Sequence, residues 1–489
     1  MASVREETAR GIKWGLIQKC TMQPVQFIYG IILARLITPD EMGILGLTGI
    51  FFAIAGQLQG CGFGAALIRK QDRTEEDICT VFWFNVAMSL VLSLALFLAA
   101  PWFVWFFNQP ALLNLTRVSA LLMFLGSTGS VHWTLYQARR DFKTPAIVSM
   151  CTTLVAMPFT IWAAFAGWSY WAVMLQGLIA GILSLITIWV ISPWKPKFKF
   201  SKQSFHEFFK YGINLTMSGL LLTAYQHIRT FIIGKFYSPA QLAYFSRGEH
   251  TCSMPLSLFE STLGPVTFPI LATLQNNPER LKHVYRQYIR VTAIVVEWGM
   301  ITLAANSHSV ILFLYGASWQ PAAIYAQILC LGWMFNPLLG LNLNILAVLG
   351  RTDLSLKFEI ILRTFSISAM LIAAMFSVQA LCWAAVATAS FALVFSCFLV
   401  TRISTVTFPD LILSFFPYLL LSLLVNIPAF IINLQPWAPI VQVMLGGSIS
   451  LGLYILILWK KQDPAAMLIW SLIREKLQRK GYQNNSHVS

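Results

Sequence analysis

Polar side chains repeat at helical spacing inside two stretches that are otherwise apolar enough to cross a membrane. Residues three, four or seven positions apart share one face of an α-helix. The first stretch carries a cation and two amides at such positions: Lys19, Gln23 and Gln26. The second carries an amide, two hydroxyls and a guanidinium: Asn214, Ser218, Tyr225 and Arg229. Since a charge at bilayer depth costs at least about 2.5–3.5 kcal/mol, these faces are expected to line a polar, substrate-binding cavity.

Two further arginines and four acids lie inside predicted membrane spans. Arg117 and Arg247 are candidates for the same cavity, although Arg117 lies close enough to the end of its span to extend toward the headgroups instead. The acids are candidates for binding a coupling H⁺ or Na⁺: Glu249, Glu260, Glu297 and Glu359. A structural role is the alternative for each acid. Arg363 follows Glu359 by four residues, a spacing that favours a plain intrahelical ion pair.

Cysteine and histidine show no metal-binding pattern. The eight Cys lie mainly inside predicted spans without a CxxC pair, and the seven His are scattered. The sequence contains no phosphate-binding glycine loop and no nucleophile elbow. We therefore expect no metal ion, no disulfide and no cofactor. Glycines crowd the second span, where small residues favour close helix packing: Gly43, Gly46, Gly49, Gly56, Gly60, Gly62 and Gly64.

The elements that hold these side chains are predicted to be membrane helices. Of the 489 residues, 57% are hydrophobic and 11% charged, with a mean hydropathy of +0.68, whereas soluble chains carry roughly 25% charge. This composition excludes a cytosolic enzyme. Continuous apolar runs of about 20 residues fit helices that cross a hydrocarbon core of roughly 30 Å, and they exclude the alternating strands of a β-barrel. We predict an all-α polytopic protein with fourteen spans, near residues 13–33, 42–66, 79–100, 112–137, 145–166, 171–191, 207–233, 240–272, 288–305, 322–348, 355–376, 379–401, 411–432 and 438–459.

The basic residues indicate how these spans are oriented. Of the 34 Lys and Arg, about 27 lie in the two tails and in alternate connections, while the connections between them hold essentially Arg35 and Lys235. Because cytoplasmic loops carry the excess of Lys and Arg, both termini are predicted to be cytoplasmic. The formal net charge of +15 then reflects orientation and contact with anionic membrane lipids. We expect no nucleic-acid partner.

An internal repeat divides the spans into two sets. Residues 34–45 match residues 234–245 at an offset of 200, with a basic residue followed by a Thr-Pro or Ser-Pro pair in both copies. Six spans separate the copies, so both begin on the same side of the membrane and form a parallel repeat. The prediction is two six-helix lobes, 1–199 and 200–402, followed by two C-terminal helices and a basic tail in 403–489. Transporters built this way bind substrate between the lobes near the membrane midplane.

Six sequence patches within residues 5 to 460 carry a resemblance to a known family. They lie at residues 34–43 (Ala-Arg-Leu-Ile-Thr-Pro-Asp-Glu-Met-Gly), 62–69 (Gly-Phe-Gly-Ala-Ala-Leu-Ile-Arg), 81–85 (Val-Phe-Trp-Phe-Asn), 139–143 (Arg-Arg-Asp-Phe-Lys), 233–235 (Ile-Gly-Lys) and 314–353 (Leu-Tyr-Gly, then Trp319, then Gly350-Arg351 and Asp353). These patches resemble the bacterial polysaccharide exporters. That family comprises lipid-linked oligosaccharide flippases of the multidrug/oligosaccharidyl-lipid/polysaccharide superfamily.

The resemblance implies alternating access by two six-helix bundles plus two C-terminal helices, in the bacterial inner membrane. The substrate would be an undecaprenyl-pyrophosphate-linked repeat unit of O-antigen, capsule or exopolysaccharide, moved from the cytoplasmic to the periplasmic leaflet. A polysaccharide polymerase would be the expected protein partner. Arg229, with Lys19 opposite it, is then the candidate for binding the pyrophosphate, because a guanidinium presents a planar fork that matches phosphate oxygens.

Two other functions compete with this interpretation. A cation-coupled drug or metabolite antiporter of the related toxic-compound extrusion type would share the fold and the repeat, but Lys19 and Arg229 should repel its usual cationic substrates. A membrane-embedded glycan polymerase or ligase would be expected to carry a long polar periplasmic loop. The longest predicted outward connection, Asn306 to Pro321, is short and mostly apolar. We therefore predict a transporter and not an enzyme.

Overall fold

The computed structural model describes residues 4–467 and 470–471. Across these residues the chain is α-helical, with one 3-10 turn and no strand. Packing divides the chain into two compact units, Met1–Ala243 and Tyr244–Ser489. The all-α class predicted from the apolar runs is thereby confirmed.

The first unit contains eight helices in the described residues and the first turn of a ninth. They are α1 (Val4–Leu36), α2 (Pro39–Gln59), α3 (Phe63–Arg69), α4 (Glu75–Phe107), α5 (Leu112–Ala138), α6 (Lys143–Phe165), α7 (Tyr170–Ile191), α8 (Lys202–Phe236) and the start of α9 (Pro239–Thr273). The closest pairs are α4 with α5 and α6 with α7. Helix α1 packs on α6, while α8 packs on α2, α3 and α4.

The second unit contains the rest of α9 and the remaining described helices. They are α10 (Pro278–Ala305), α11 (Ser307–Tyr315), a 3-10 turn (Ala317–Trp319), α12 (Ala322–Trp333), α13 (Asn336–Val348), α14 (Thr352–Ala373), α15 (Val378–Ile403), α16 (Phe408–Val425), α17 (Ile427–Ile432) and α18 (Pro439–Lys460). Helix α10 is central, because it contacts α11, α12, α13, α16, α17 and α18. A single buried apolar cluster connects α10 with α13, α15, α16 and α18.

Each of the fourteen predicted spans coincides with one helix or with two consecutive helices. Ten stretches of the described chain are both long and apolar enough to cross a membrane, which makes this a multi-pass membrane protein. Four other long helices, α1, α8, α9 and α14, do not meet that limit. They carry most of the predicted cavity and ion-coupling residues, whose polarity lowers their hydropathy. The count of fourteen crossings stays a prediction.

Three predicted spans are broken where the backbone cannot continue as one helix. Between α2 and α3, Cys61 and Gly62 have positive φ values of 41° and 68°. Pro337 and Pro428 lie in the first turns of α13 and α17. Proline has no amide hydrogen, which costs nothing in the first turn of a helix but would remove a hydrogen bond from a continuous helix. At the α16–α17 break, Asn426 Nδ2 donates to the Ser422 carbonyl oxygen over 2.8 Å and so satisfies one freed acceptor.

Glycines bring α2 and α3 close to neighbouring backbone, as the crowding of glycines predicts. A side chain at Gly43 would overlap the Pro239 carbonyl group. A Cβ at Gly62 would lie 2.6 Å from the Gly212 carbonyl oxygen, and one at Gly212 would overlap the Cys61 carbonyl oxygen. The packing interpretation is therefore confirmed at Gly43 and Gly62. It does not extend to Gly56, where an added Cβ would meet nothing within 4 Å.

The predicted repeat recurs in the helix boundaries. Helix α1 ends at Leu36 and α8 at Phe236, while α2 begins at Pro39 and α9 at Pro239, so the 200-residue offset holds at both positions. A side chain caps both second helices: the Glu41 carboxylate accepts from the Thr38 amide over 3.0 Å, and Ser238 Oγ accepts from a backbone amide in α9. The two packing units do not coincide with the two copies of the repeat, because α8 packs with the first unit but begins the second copy. The lobes 1–199 and 200–402 and the tail 403–489 stay predictions.

Candidate functional site

The polar face of α1 lies near the middle of a long helix. Lys19 is fifteen residues from Val4 and seventeen from Leu36, so at 1.5 Å per residue it is roughly 26 Å from the outer predicted end. Lys19 and Gln26 are exposed on the first unit, and Gln23 is half-buried. The amide oxygen of Gln23 is buried without a hydrogen-bond partner among the described residues. A membrane helix that presents such groups requires water, protein or substrate next to it.

The polar face of α8 lies in the same unit. Asn214 and Ser218 are exposed, and Tyr225 and Arg229 are half-buried. Arg229 is seven residues, or roughly 10 Å, before the end of α8 at Phe236. The helix is held from behind by α2, α3 and α4, and the close contact at Gly212 lies two residues before Asn214. The glycine contacts thus fix the start of this polar face.

Helix α2 adds a polar residue that sequence spacing did not predict. A Cβ at Gly219 would lie 2.7 Å from the Gln57 side-chain oxygen, so the amide of Gln57 lies against α8 at Gly219, the residue that follows Ser218. Gln57 is exposed on the first unit. The absence of a side chain at Gly219 makes room for the amide. A glycine next to a polar helix face was the available signal, but its partner could not be identified without the fold.

Arg117 lies between α5 and α4. Its guanidinium stacks over the Phe97 ring at 4.8 Å from the centroid, an attractive cation–π arrangement. Its Nε is buried without a hydrogen-bond partner in the described chain. The residue is half-buried. The sequence suggested two roles for Arg117, lining the cavity or extending toward the headgroups. Neither interpretation included a contact with an aromatic ring.

In the second unit, Arg247 lies against two aromatic rings. Its guanidinium carbon is 5.5 Å from the centroids of both Tyr315 and Trp319. The Tyr315 hydroxyl is 3.2 Å from Thr251 Oγ1, which holds the ring in place. Trp319 is fully buried. Sequence reasoning singled out Arg247 but not its aromatic partners, although both belong to the Leu-Tyr-Gly to Trp patch that carries the family resemblance.

The four acids fall into different environments. Glu359 and Arg363 are joined by an ion pair of 3.0 Å, which confirms the predicted intrahelical pair. Glu260 is exposed and Glu249 half-buried, both on α9. Glu297 on α10 is completely buried, and within the described residues neither carboxylate oxygen has a hydrogen-bond partner. The structure therefore separates Glu297 from the other three.

A cavity of about 590 Å³ lies in the first unit between α1, α5, α6 and α7. Its polar lining consists of neutral amides and hydroxyls, which include Gln18, Gln137, Ser149 and Ser184, beside Trp133. Amides, hydroxyls and an indole suit uncharged polar groups such as sugar hydroxyls. Among the described residues, no charged side chain lines the cavity, so these residues offer an anionic group no electrostatic attraction.

Comparison with known proteins identifies the family. Residues 32–324, more than half of the chain, match the family described as polysaccharide biosynthesis protein. The chain belongs to this family. This confirms the resemblance carried by the six sequence patches.

Curated relatives among the polysaccharide biosynthesis proteins share modest identity over most of the chain. The succinoglycan biosynthesis transport protein ExoT of Rhizobium meliloti is 23% identical over 313 residues, covering 64% of this chain and 63% of ExoT. The teichuronic acid biosynthesis protein TuaB of Bacillus subtilis is 21% identical over 369 residues, covering 73% of this chain and 75% of TuaB. The match thus spans a little under two thirds of the length of ExoT.

Two solved structures share the fold. The lipid II flippase MurJ, in its inward closed conformation, has a TM-score of 0.69 at 13% identity, covering 92% of this chain and 99% of MurJ. An inward-facing multidrug resistance MATE family transporter of the MOP superfamily has a TM-score of 0.58 at 14% identity, covering 77% of this chain and 95% of that chain. At such identities these likenesses show the fold alone, and they agree with a polytopic all-helical architecture.

Proposed function

We propose that this polysaccharide biosynthesis protein is an alternating-access flippase for undecaprenyl-pyrophosphate-linked oligosaccharide repeat units. It moves them from the cytoplasmic to the periplasmic leaflet of the bacterial inner membrane, with both termini in the cytoplasm. The observation that carries the proposal is that all seven candidate residues on the polar faces of α1 and α8 are exposed or half-buried in the first unit. Family membership supports the class of substrate.

The charge on this surface suits an anion. A pyrophosphate diester carries two negative charges, and a flippase must replace their hydration with fixed donors during passage. Lys19 and Arg229 supply an ammonium and a guanidinium, and the guanidinium can bind phosphate oxygens in a bidentate manner. The amides and hydroxyls of Asn214, Ser218 and Tyr225 can bind sugar hydroxyls.

The two cations lie at different depths, which suggests two successive positions of the headgroup. Lys19 is seventeen residues from the end of α1, and Arg229 seven residues from the corresponding end of α8. The difference of ten residues corresponds to about 15 Å along the helix axes. In this proposal Lys19 binds the pyrophosphate near the midplane, and Arg229 binds it closer to the periplasmic side. Arg117 in the first unit and Arg247 in the second stay further candidates for binding the anionic headgroup.

A cation-coupled antiporter of the toxic-compound extrusion type is the alternative that shares this fold. The basic character of Lys19 and Arg229 disfavours its usual cationic substrates. Coupling to H⁺ or Na⁺ also belongs to the flippase proposal, with Glu249, Glu260 and Glu297 as candidates. Glu359 is a weaker one because Arg363 already neutralises it. A polysaccharide polymerase is the expected partner on the periplasmic side, where the moved repeat unit would be consumed.

Reconstitution can test the substrate. Purified protein is placed in liposomes that contain a fluorescent undecaprenyl-pyrophosphate disaccharide, and a membrane-impermeant quencher measures how much label changes leaflet. We expect wild type to equilibrate the label and Arg229→Ala to lose this activity. Arg229→Lys should retain part of it, because the charge survives without the planar fork, and Arg229→Glu should be the most impaired.

Arg402→Ala is the matched control. Arg402 stacks on Phe398 at 4.5 Å in the last turn of α15, in the second unit, whereas α1 and α8 belong to the first. Its variant should move the label at the wild-type rate. A stable Arg229→Ala protein with normal activity would contradict a binding role for Arg229. Transport of a cationic dye by wild type, without movement of the labelled lipid, would support the antiporter instead.

A further inference from the structure

Glu297 is an isolated carboxyl group in the interior of the second unit. It has no solvent exposure, and within the described chain neither of its side-chain oxygens takes part in a hydrogen bond. It lies on the buried face of α10, eight residues before the helix ends at Ala305, or about 12 Å along the axis. An ionised carboxylate in such a position would cost far more than a neutral one. The burial therefore favours the protonated form.

Helices α16 and α18 bring buried polar residues to the same part of the second unit. Tyr454 on α18 lies close enough to interact electrostatically with Glu297 and to approach the Ser422 hydroxyl on α16. Asn426 lies one turn after Ser422. Ser422, Asn426 and Tyr454 are all at most 3% exposed, and each has an oxygen without a hydrogen-bond partner among the described residues. Most buried polar atoms in proteins are paired, so four unpaired groups in one place are unusual.

Contacts along α10 show that these residues lie at one level. Trp298, next to Glu297, stacks on Tyr454 with centroids 6.1 Å apart and donates from Nε1 to Ser450 Oγ over 3.0 Å. Two turns further along, a Cβ at Gly446 would lie 2.7 Å from the Asn306 side-chain oxygen. Helices α10 and α18 therefore pack side by side over this distance. Glu297 and Tyr454 lie on the predicted cytoplasmic side of the contact between Asn306 and Gly446.

Polar groups continue from this cluster toward both ends of the second unit. On the predicted periplasmic side, Asn433 donates to Asn306 over 2.9 Å, and Ser309 donates to Asn433 and Gln442. On the predicted cytoplasmic side, Tyr418 belongs to the same buried cluster as Tyr454, and its hydroxyl donates to Asp463 Oδ2 over 2.8 Å. An acid, three hydroxyls and a set of amides are thus distributed along the packed helices α10, α16, α17 and α18.

We propose that Glu297 is a proton-binding site and that this row of polar groups is a proton relay through the second unit. The carboxylate binds one proton arriving from the periplasmic side and becomes neutral. It then gives a proton to Tyr454, which releases its own toward Tyr418. Tyr418 releases its own to Asp463, and Asp463 releases a proton on the predicted cytoplasmic side and becomes a carboxylate again. One proton crosses, and every hydroxyl ends with the proton count it had at the start. Coupling this movement to substrate rests on the flippase function proposed above.

The chemistry of the row favours a proton over Na⁺. A hydroxyl can accept one proton while it donates another, so Tyr418, Tyr454 and Ser422 can each pass a proton on. A sodium ion would need its oxygen ligands to move along with it. The titratable groups on the helices that pack against α10 are Asp410 and Tyr418 on α16, Tyr454 and Lys460 on α18, His308 and Tyr315 on α11, and Tyr325 and Cys330 on α12. Asp410 is already paired with Lys282 and Arg286.

The proton site is tested by Glu297→Gln, which keeps the shape of the side chain and removes the acid. Difference infrared spectroscopy on the full chain in lipid, with a pH jump in H₂O and D₂O, reports the carbonyl stretch of a protonated carboxyl group. We expect the band of a buried carboxyl in wild type and its loss in Glu297→Gln. Glu279→Gln is the matched control, because it makes the same change on an exposed residue of α10. It should keep the band.

Proton movement is measured separately, with a pH dye trapped in proteoliposomes and an imposed pH gradient. Wild type should acidify the lumen, Glu297→Gln should not, and Tyr454→Phe should slow the signal while keeping the infrared band. Equal proton movement in wild type and Glu297→Gln would overturn the proposal. So would movement that needs a Na⁺ gradient at constant pH. Wild-type proton movement without transfer of the labelled lipid would instead overturn the proposed function and leave the relay intact.

Discussion

The contact between Gly62 and Gly212 gives a stability prediction whose size follows from the structure. Gly62 has a φ of 68°, in the left-handed region, where an L-residue with a Cβ costs about 1–2 kcal/mol. The added Cβ would also lie 2.6 Å from the Gly212 carbonyl oxygen and 2.7 Å from its Cα. Overpacking of this kind costs typically about 1–3 kcal/mol. Gly62→Ala should therefore lose about 2–5 kcal/mol of stability.

The measurement is the apparent melting temperature in detergent, followed by fluorescence-detected size exclusion after heating. For a unit of roughly 240 residues, a loss of about 3 kcal/mol corresponds to a decrease on the order of 6–12 °C. Gly56→Ala is the matched control on α2, because its Cβ would meet nothing within 4 Å. It should melt at or slightly above the wild-type temperature, since alanine is favoured over glycine in a helix by up to about 1 kcal/mol.

A second substitution separates backbone strain from the steric clash. Asn tolerates the left-handed region better than Ala, so Gly62→Asn should remove part of the backbone cost. The clash with Gly212 remains, so we expect Gly62→Asn to stay well below wild type. If Gly62→Ala and Gly56→Ala melted together at the wild-type temperature, the close approach of α3 and α8 would be refuted. The support it gives to the α8 polar face would then be refuted as well.

Two further predictions concern topology and helix packing. Single-cysteine labelling with an impermeant maleimide should find residue 197 accessible from the cytoplasm and residue 318 from the periplasm. Either residue on the other side would contradict the predicted orientation, and both residues on the same side would also contradict the number of crossings on which the parallel repeat rests. The Sγ atoms of Cys252 on α9 and Cys330 on α12 are 3.1 Å apart, so a membrane-permeant oxidant should join them with a movement of about 1 Å. Labelled with maleimide after denaturation, the joined protein should show two fewer reactive thiols than the reduced protein. An unchanged thiol count would show that α9 and α12 are further apart.

The positions of the helices were predictable because two simple signals agree. Hydrophobic runs of membrane length mark the helices, and most basic residues fall in alternate connections between them, as the predicted number of spans requires. The breaks inside three spans were not predicted. Their signals are small: a left-handed Gly62, and Pro337 and Pro428 in the first turns after a break. A hydropathy window averages over such single residues.

The candidate site was predictable only as far as one helix determines it. Spacing identified the face that holds Asn214 and Arg229, because helical periodicity is local. It could not place Gln57 beside Gly219, nor Trp319 beside Arg247, because these neighbours come from other helices. It also could not separate Glu297 from Glu359. Glu359 has its partner Arg363 four residues away in sequence, whereas the surroundings of Glu297 depend on how distant helices pack.

The distribution of polar groups among helices distinguishes two kinds of site in this protein. Helix α8 concentrates an amide, hydroxyls and a guanidinium on one face, and it falls below the apolarity limit that ten other stretches meet. Such a helix is stable in the membrane only where that face meets water, protein or substrate. The Glu297 cluster instead takes one or two polar groups from each of α10, α16 and α18. The stretches that contain these helices keep mean hydropathies of 1.4, 2.1 and 2.0.

This distribution explains why the two sites differ in exposure. Each contributing helix remains apolar enough to insert by itself, and the polar groups meet only after the helices have packed, so the resulting cluster is buried. The polar faces of α1 and α8 are accessible, whereas the single polar groups on α10, α16 and α18 are buried. An accessible face suits the proposed binding of a large headgroup. A buried group suits the proposed binding of a proton, because an ion that carries a hydration shell does not fit there.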